Sequence, residues 1–372
     1  MEKINTANAK EFLTAVNNRC DSLKDLTDKV EKSRIYTPDG TDKAWYYTHH
    51  PFITSFKGRF YVFYSSGRRN EDDCGQRIMM ATSDDFKTWN IKPLIDSIFG
   101  ENSELVLYCK GCYIREGVLT VYYHGYEYDA AGLRKNEDGT ALRPLEENCR
   151  RINHQTYCVQ TTDGENWTAP KPLGYLIGGN LSPVEMEDKL LWAGYGSLAY
   201  TERLSGDGDW NNIRLRLDPD TERPKAITES GFYKAPDGEI VLMSRTNGGC
   251  MLAGASFDGG ITWTDMYRSQ FADYCAKFMF GTLPDGRNYF LGNNSKERAE
   301  LVLITSDDGM NFSRFYMLSN EPYEQVRKGL YKGGDYGYPT NYIDSEYMYV
   351  VYSMDKEGLE AARVRLSDLD IR

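Results

Sequence analysis

Residues 256–263 read Ser-Phe-Asp-Gly-Gly-Ile-Thr-Trp and contain the turn pattern S-x-D-x-G-x-T-W. In such a turn the Ser and Asp side chains satisfy backbone amides, Gly adopts a conformation that other residues resist, and Trp packs between neighbouring sheets. Degenerate copies occupy residues 82–89, 161–167 and 305–312. A turn that recurs this often predicts an internally repeated fold.

The aromatic residues of these turns recur at roughly the length of a four-stranded propeller blade, about 40–50 residues. This spacing divides the chain into segments near residues 45–95, 106–170, 173–218, 226–266, 268–316 and 328–368. The 28 Tyr, 15 Phe, 6 Trp and 34 Gly also favour strands and tight turns. The sequence therefore predicts an all-β protein, a β-propeller with six legible blades. Residues 33–47, with pairing of the two chain termini, leave a seventh blade possible.

Residues 6–33 differ from the rest of the chain because their apolar residues recur near helical spacing. We interpret this stretch as a helix that packs against the propeller. The predicted organisation is a helical arm and closure segment over residues 1–44, followed by a single catalytic β-propeller domain over residues 45–372.

Composition and charge exclude several classes of protein. The 55 acidic and 44 basic residues give a net charge of −11, which disfavours binding to nucleic acid or to an anionic membrane. The opening segment lacks the apolar core and cleavage site of a secretory signal, so we expect a cytoplasmic protein. The eight scattered Cys are then expected to be reduced, with Cys109 and Cys112 acting as small hydrophobic residues rather than zinc ligands. Composition leaves the oligomeric state open.

The chain has only four His, and all of them lie in the first two predicted blades. His49 and His50 open a strand of the innermost region, where they either bind substrate or form structural hydrogen bonds. His124 ends one strand and His154 opens the next, so antiparallel pairing brings both to one rim. Two neutral imidazoles there suit proton transfer near neutral pH, although a buried structural pair has the same pattern.

Arg245 follows an apolar strand in the fourth blade. A buried cation requires a partner, so Arg245 binds either a ligand or the nearby Glu229. Tyr233, on the neighbouring strand, is expected to present its phenol to the same place. The predicted substrate-binding set is completed by further polar residues of the blade connections, namely Arg69, Lys332 and Asp335.

The repeated turns match the Asp box of sialidase-like propellers, and three further segments support a resemblance to that superfamily: residues 49–51 (His-His-Pro), 329–339 and 356–368. Over residues 45–370 the sequence most resembles the branch of ulvan lyases, L-rhamnose-α-1,4-D-glucuronate lyases and rhamnosidase-like enzymes. The resemblance implies β-elimination on a uronate-containing, rhamnosyl-glucuronate-like oligosaccharide. The elimination that the resemblance implies requires no organic cofactor or metal, although a structural cation in the central channel is possible.

The resemblance also implies roles for individual residues. Arg245 binds the uronate carboxylate, His124 and His154 transfer protons and neutralise charge, and Tyr233 acts as acid or base. Elimination needs these functions because the carboxylate must be neutralised before the C5 proton becomes acidic.

Two other functions stay open. True sialidases, which share the Asp boxes, use three Arg to clamp a carboxylate, a Tyr–Glu nucleophile pair and an Asp acid, and this template predicts a glycoside hydrolase of exo-sialidase-like or α-L-rhamnosidase-like type. Asp72, Asp73 and Asp335 are its candidate carboxyl groups. A non-catalytic interaction propeller would instead present a flat, apolar rim without a funnel.

Overall fold

The computed structural model describes residues 4–96, 105–128, 151–175, 177, 179–224 and 226–370. Within these residues the chain forms one α-helix, 25 β-strands and a short 3-10 helix near the carboxyl end. No helix in the described ranges has the length and apolar character needed to cross a membrane.

The N-terminal elements are α1 (Ala9–Ala15), β1 (Ser22–Asp25) and β2 (Glu31–Tyr36). The first sheet contains β3 (Tyr47–Phe56), β4 (Arg59–Gly67), β5 (Arg77–Ser83) and β6 (Asn90–Ile95). The second contains β7 (Leu105–Arg115), β8 (Val118–Tyr128), β9 (Arg151–Thr161) and β10 (Lys171–Tyr175). The third contains β11 (Val184–Met186), β12 (Lys189–Ala193), β13 (Leu198–Thr201) and β14 (Asn211–Ile213). The fourth sheet contains β15 (Ser230–Lys234), β16 (Ile240–Ser244), β17 (Cys250–Ser256) and β18 (Tyr267–Ala272). The fifth contains β19 (Met279–Thr282), β20 (Asn288–Gly292), β21 (Leu301–Ser306) and β22 (Arg314–Ser319). The sixth contains β23 (Gly337–Ile343), β24 (Tyr347–Met354) and β25 (Gly358–Arg365).

These sheets are the six blades of a β-propeller, as the sequence predicted. Within each blade, β3 to β25 pair antiparallel and follow chain order from the inside outward, whereas β1 and β2 are added at the outer edges of the last two blades. The first strands of neighbouring blades contact each other, since β3 touches β7 and β23, and β19 touches β15 and β23. The first strand of each blade therefore lies nearest the propeller axis.

The N-terminal segment closes the ring. β2 pairs antiparallel with β25 and supplies the fourth strand of the sixth blade, so it does not contribute to a seventh. β1 pairs parallel with β22 and extends the fifth blade. The division of the chain at residue 45 stays a prediction, but residues before it belong to two of the sheets.

The helix predicted over residues 6–33 was wrong in extent, because α1 has only seven residues. Leu13 and Val16 pack into the core between blades four and five, whereas Leu26 packs between blades five and six. Edge-strand pairing with two blades buries these residues in separate cores, and that tertiary gain overrides the local helical periodicity.

The repeated turns have the expected hydrogen bonds. Ser256 Oγ accepts from Gly260 N at 2.8 Å, Asp258 accepts from Thr262 N at 2.9 Å, and Trp263 Nε1 donates to the Gly260 carbonyl at 2.9 Å. A hydrogen bond from a Ser or Thr hydroxyl to the Asp two residues later occurs in four further turns, at residues 83 and 85, 161 and 163, 205 and 207, and 306 and 308. The turns near residues 82 and 305 thus begin one residue later than the sequence pattern suggested.

Cys20, Cys109, Cys112, Cys158, Cys250 and Cys275 form no disulfide among the described residues. Cys109 and Cys112 lie in the apolar core between the first two blades. Burial raises the pKa of both thiols to about 12, so they remain protonated and pack as small apolar side chains.

Gly260 provides a test of the turn. Its φ is +95°, and a Cβ added there would lie 2.3 Å from Cδ1 of the buried Leu191. We expect Gly260→Ala to lower the free energy of unfolding by about 3 kcal/mol, from left-handed strain and overpacking together. Gly259→Ala is the matched control, because φ is +71° there but the nearest contacts are flexible side-chain ends at 3.3 Å. Equal losses in urea denaturation of the two variants would contradict this account of the turn.

Candidate active site

A cavity of about 650 Å3 lies on the propeller axis, and all six blades contribute to its wall. Its lining residues are His50, Glu71, Tyr108, Cys109, Lys110, His124, Arg151, His154, Asn180, Tyr195, Ser197, Thr228, Glu229, Arg245, Asn247, Lys277 and Tyr338. Titratable groups so distant in sequence converge only where the inner strands meet. A concave site with convergent polar groups suits a sugar and differs from the flat rim of an interaction propeller.

A second cavity, of about 440 Å3, lies between α1 and the turn at residues 235–237. Its described lining contains acidic and apolar residues but no Lys, Arg, His or Tyr. The axial cavity is therefore the stronger candidate for catalysis.

A hydrogen-bonded chain of three side chains forms one part of the axial wall. Arg245 Nη1 donates to Glu229 Oε2 at 2.9 Å, and the Tyr338 hydroxyl donates a short hydrogen bond to Glu229 Oε1. Burial raises the pKa of Glu229, but the charge of Arg245 and the Tyr338 hydrogen bond outweigh it and leave the pKa below its usual value. Burial and the charge of Glu229 raise the pKa of Tyr338 well above 10. The phenol thus stays protonated in the resting site and donates its hydrogen bond to an ionised carboxylate.

Three residues at or next to the cavity wall have left-handed backbone conformations. His50, Asn153 and Tyr338 have φ values of 53°, 53° and 54°, in the left-handed region that such residues rarely adopt. Each lies at or opposite an irregularity in strand pairing, and there the register shifts. Such bulges re-aim side chains, and here they occur on β3, β9 and β23.

His49 and His50 lie directly behind Tyr338. The His49 ring is 4.1 Å from the Tyr338 ring centroid, and its Nδ1 is 2.6 Å from Ser353 Oγ. His49 is fully buried, whereas His50 lines the cavity. The pair thus includes one supporting residue and one residue that can reach a ligand.

His49, His50 and Glu71 each offer a ligand atom within 4.8 Å of the others, and among the described residues they are the one such group of three. His49 Nε2 and His50 Nδ1 have no hydrogen-bond partner within the described part of the chain. However, Glu71 Oε2 pairs with Lys356 Nζ at 2.5 Å. Burial lowers the pKa of both His, and the nearby Lys277 and Lys356 charges lower it further. The donor spacing suits a small divalent cation, but the surrounding charges oppose one.

His124 and His154 meet as the sequence predicted, because β8 and β9 are antiparallel neighbours. Their rings are 5.6 Å apart, and both line the cavity. His124 Nε2 donates to the Ile177 carbonyl at 2.8 Å, which leaves Nδ1 as the acceptor in the neutral tautomer. Burial and the Lys110 charge lower the pKa of His124 well below 6.5, and burial and the Arg151 charge lower that of His154 to about 4. Both imidazoles are neutral at physiological pH.

Tyr233 was wrongly placed in the site. Its side chain is 1% exposed, packs against Phe280 and Phe312 in the core between blades four and five, and donates to the Gly309 carbonyl at 2.5 Å. It lies four residues beyond Glu229 along β15, roughly 13 Å away at the usual strand rise. Its phenol therefore cannot share a substrate with Arg245.

The predicted substrate-binding residues divide into two groups. Arg245, Glu229 and His50 line the cavity, and the structure thus also contains the Arg245–Glu229 pair considered as the alternative. The other residues, including His49, do not line it. Arg69 is exposed at the surface, Lys332 Nζ pairs with Glu357 at 2.8 Å in a fully buried salt bridge, and Asp335 accepts from Tyr323 N.

The alternative carboxylates Asp72 and Asp73 do not line the cavity either. Asp72 Oδ2 pairs with Arg151 at 2.9 Å, and Asp73 accepts from Asn70 N at 2.8 Å. They fix the loop after β4, and this loop places the neighbouring Glu71 in the wall instead.

Five further residues of the cavity wall were not predicted from the sequence, namely Tyr338, Glu71, Tyr195, Lys110 and Lys277. The signal for the two Lys was present, because each is a single charge within an apolar stretch that belongs to or leads into an inner strand. Tyr338 lies in the segment 329–339, which supported the resemblance, but nothing in the sequence distinguished it from the neighbouring Tyr.

A family model described as BNR repeat-like domain matches residues 155–350. No curated protein matches the sequence.

The solved structures similar to this chain include a protein of unknown function from Dyadobacter fermentans, with 15% identity and a TM-score of 0.62 over 91% of this chain and 99% of that one. The intramolecular trans-sialidase from Ruminococcus gnavus has 13% identity and a TM-score of 0.62, over 91% and 98% of the chains. The Trypanosoma rangeli sialidase has 13% identity and a TM-score of 0.61, and the match covers 92% of this chain but 59% of that one. Similarity at these identities shows a shared fold.

The neutral His124 predicts acid sensitivity. Its pKa is lowered in the folded state, so below pH 6.5 the unfolded chain binds a proton that the folded protein does not. Stability is therefore lost as pH falls, by up to about 1.4 kcal/mol per pH unit for each such group. We expect His124→Gln to flatten the decrease in unfolding free energy between pH 6.5 and 5, measured by urea denaturation. Parallel curves for wild type and variant would contradict the assignment.

Proposed function

The chain belongs to the BNR repeat-like domain family, and from this premise we propose that it is a carbohydrate-active enzyme that hydrolyses a glycosidic bond of an acidic sugar. The observation that carries the proposal is the chain Arg245–Glu229–Tyr338 in the wall of the axial cavity. It has the composition of the Tyr–Glu nucleophile pair of the sialidase template, and two sialidases share the fold.

In the proposed first step the Tyr338 oxygen attacks the anomeric carbon, and Glu229 accepts the phenolic proton. The bond to the leaving-group oxygen breaks, and this oxygen receives a proton. In the second step water releases the sugar from Tyr338, and Glu229 returns the proton to the phenolate oxygen. Tyrosine is a poor nucleophile at its ordinary pKa, and an adjacent base removes that obstacle.

Glu71 is the other carboxyl group among the described lining residues, and it is paired with the Lys356 ammonium group. We assign to this pair the proton transfer: Lys356 supplies the proton that passes through Glu71 to the leaving oxygen, and the attacking water returns a proton to the pair. Lys356 binds Glu71 Oε2, and Glu71 Oε1 lies 3.9 Å from His50 Nε2. Arg245 keeps Glu229 ionised and correctly oriented. This mechanism needs neither a metal nor an organic cofactor, and its partner is an oligosaccharide.

Replacement of Tyr338 by Phe removes the nucleophile and retains the ring that packs against His49. We expect Tyr338→Phe and Glu229→Gln each to lower kcat by about 10³-fold or more, in line with the loss of a positioned base or nucleophile. The measurement is release of a fluorescent aglycone from sialic acid, glucuronic acid and rhamnose glycosides. Tyr233→Phe is the matched control, because that phenol lies outside the cavity, and it should retain activity. Full activity of Tyr338→Phe would eliminate the mechanism.

A second candidate function is β-elimination on a uronate, and the pair His124–His154 favours it. Tyr195, which lines the cavity and is 63% exposed, takes the place of the wrongly assigned Tyr233. Elimination removes the C5 proton to one of these groups, breaks the C4–O4 bond, protonates the leaving oxygen and creates a C4–C5 double bond. The uronate carboxylate is neutralised by a cationic side chain.

Digestion of rhamnosyl-glucuronate oligosaccharides in ¹⁸O-labelled water separates the two functions. Hydrolysis, which we expect, incorporates ¹⁸O at the new reducing end and produces no ultraviolet-absorbing double bond. If the double bond appears without ¹⁸O and Tyr195→Phe abolishes it, then elimination is the reaction and Tyr338 is not its nucleophile.

A further inference from the structure

Lys110 and Lys277 differ from the other cationic residues of the cavity because neither forms an ion pair within the described ranges of the chain. Arg245 pairs with Glu229, and Arg151 pairs with Asp72, each at 2.9 Å. The two Lys are therefore the uncompensated positive charges of the wall.

The surroundings of both amines are aromatic rather than acidic. Lys277 is 1% exposed, and its Nζ lies 4.4 Å from the Phe52 ring centroid and 5.5 Å from that of Tyr338. Lys110 Nζ lies 5.3 Å from the Tyr108 ring centroid. Lys277 is thus a buried ammonium group with ring faces beside it, and it lacks the counter-charge that normally compensates for lost hydration. Lys110 is half-buried and likewise has no carboxylate partner within the described residues.

The pKa values of Lys110 and Lys277 reflect the missing counter-charge. Burial and the charge of Lys110 lower the pKa of Lys277 to about 7, and burial lowers that of Lys110 to about 8. Glu229 opposes these shifts but does not cancel them, because its carboxylate is already bound to Arg245 and Tyr338. Two ammonium groups without counter-charges lower the stability of the folded protein, and destabilising groups of this kind are concentrated at binding sites.

We propose that Lys110 and Lys277 together form the subsite for the anionic substituent of the sugar, a carboxylate or sulfate group, and that Arg245 does not. The inference rests on the proposed function in that it takes an acidic sugar as the ligand. It departs from the expectation that Arg245 binds the carboxylate, because Arg245 is committed to Glu229. The bound oxyanion supplies the negative charge that no described carboxylate of the protein provides to the two amines.

This subsite has a thermodynamic signature that is independent of turnover. An anion beside Lys277 and Lys110 favours their charged forms, so binding at pH 8 takes up protons from the buffer. A neutral sugar in the same cavity has no such effect. Proton uptake therefore reports the contact between the anion and the amines.

The experiment is isothermal titration calorimetry at pH 8 in two buffers of different ionisation enthalpy. The host is the full chain carrying Tyr338→Phe, which binds without turning over. The probes are D-glucuronate, D-glucose 6-sulfate and D-glucose. We expect Lys277→Met and Lys110→Met each to weaken binding of the better acidic probe at least tenfold and to reduce proton uptake, with glucose unaffected. The preferred acidic probe identifies the substituent as carboxylate or sulfate.

Lys189→Met is the matched control, since Lys189 is a buried lysine outside the cavity, paired with Asp188. It should leave binding and proton uptake unchanged. Melting temperatures separate binding from structure, because removal of an uncompensated charge should maintain or raise the Tm of the Lys277 and Lys110 variants. Unaltered affinity and proton uptake for the acidic probes in both variants would overturn the inference.

The experiments distinguish failure of the anion subsite from failure of the proposed hydrolytic function. If Tyr338→Phe remains fully active, the hydrolytic mechanism fails, yet loss of acidic-probe binding in the Lys variants still supports the anion subsite. If Tyr338→Phe is inactive but the Lys variants bind acidic probes like their host, the hydrolytic proposal stands and the subsite is wrong.

Discussion

Pairing of β2 with β25 is the interaction on which the remaining architecture depends. A ring of twisted sheets buries every blade face only if its two ends meet, and here the ends are joined by main-chain hydrogen bonds between residues 31–36 and 358–365. Closure also brings β23 against β3, which places Tyr338 beside His49 and His50. The candidate site is thus a product of ring closure rather than of any single blade.

The fold was predictable because its signals are local. A turn such as residues 256–263 contains its own hydrogen-bonding partners, so the repeat is visible without knowledge of distant contacts. The pairing of His124 with His154 was predictable for the same reason, since one connection joins their strands.

The rest of the site was not predictable, because bulges decide which side chains of an inner strand face the axis. A shift of one residue exchanges the two faces of a strand. Tyr233 and Tyr338 both lie on first strands, yet one packs in an inter-blade core and the other lines the cavity. The left-handed φ of Tyr338 depends on its tertiary surroundings, and a sequence pattern does not encode it. The short extent of α1 was missed likewise, because β1 and β2 are stabilised by strands more than 280 residues away.

The closing strand also has a consequence for biosynthesis. Residues 31–36 leave the ribosome long before residues 358–365, so the sixth sheet stays incomplete until residues 358–365 have been made. Contacts of such large sequence separation slow folding, and the unpaired edge of β2 is exposed to other strands in the interval. Because Tyr338 belongs to that last sheet, a nascent chain can complete its early blades while it still lacks the proposed nucleophile. The proposed hydrolytic activity would therefore be acquired only when the sixth sheet is complete.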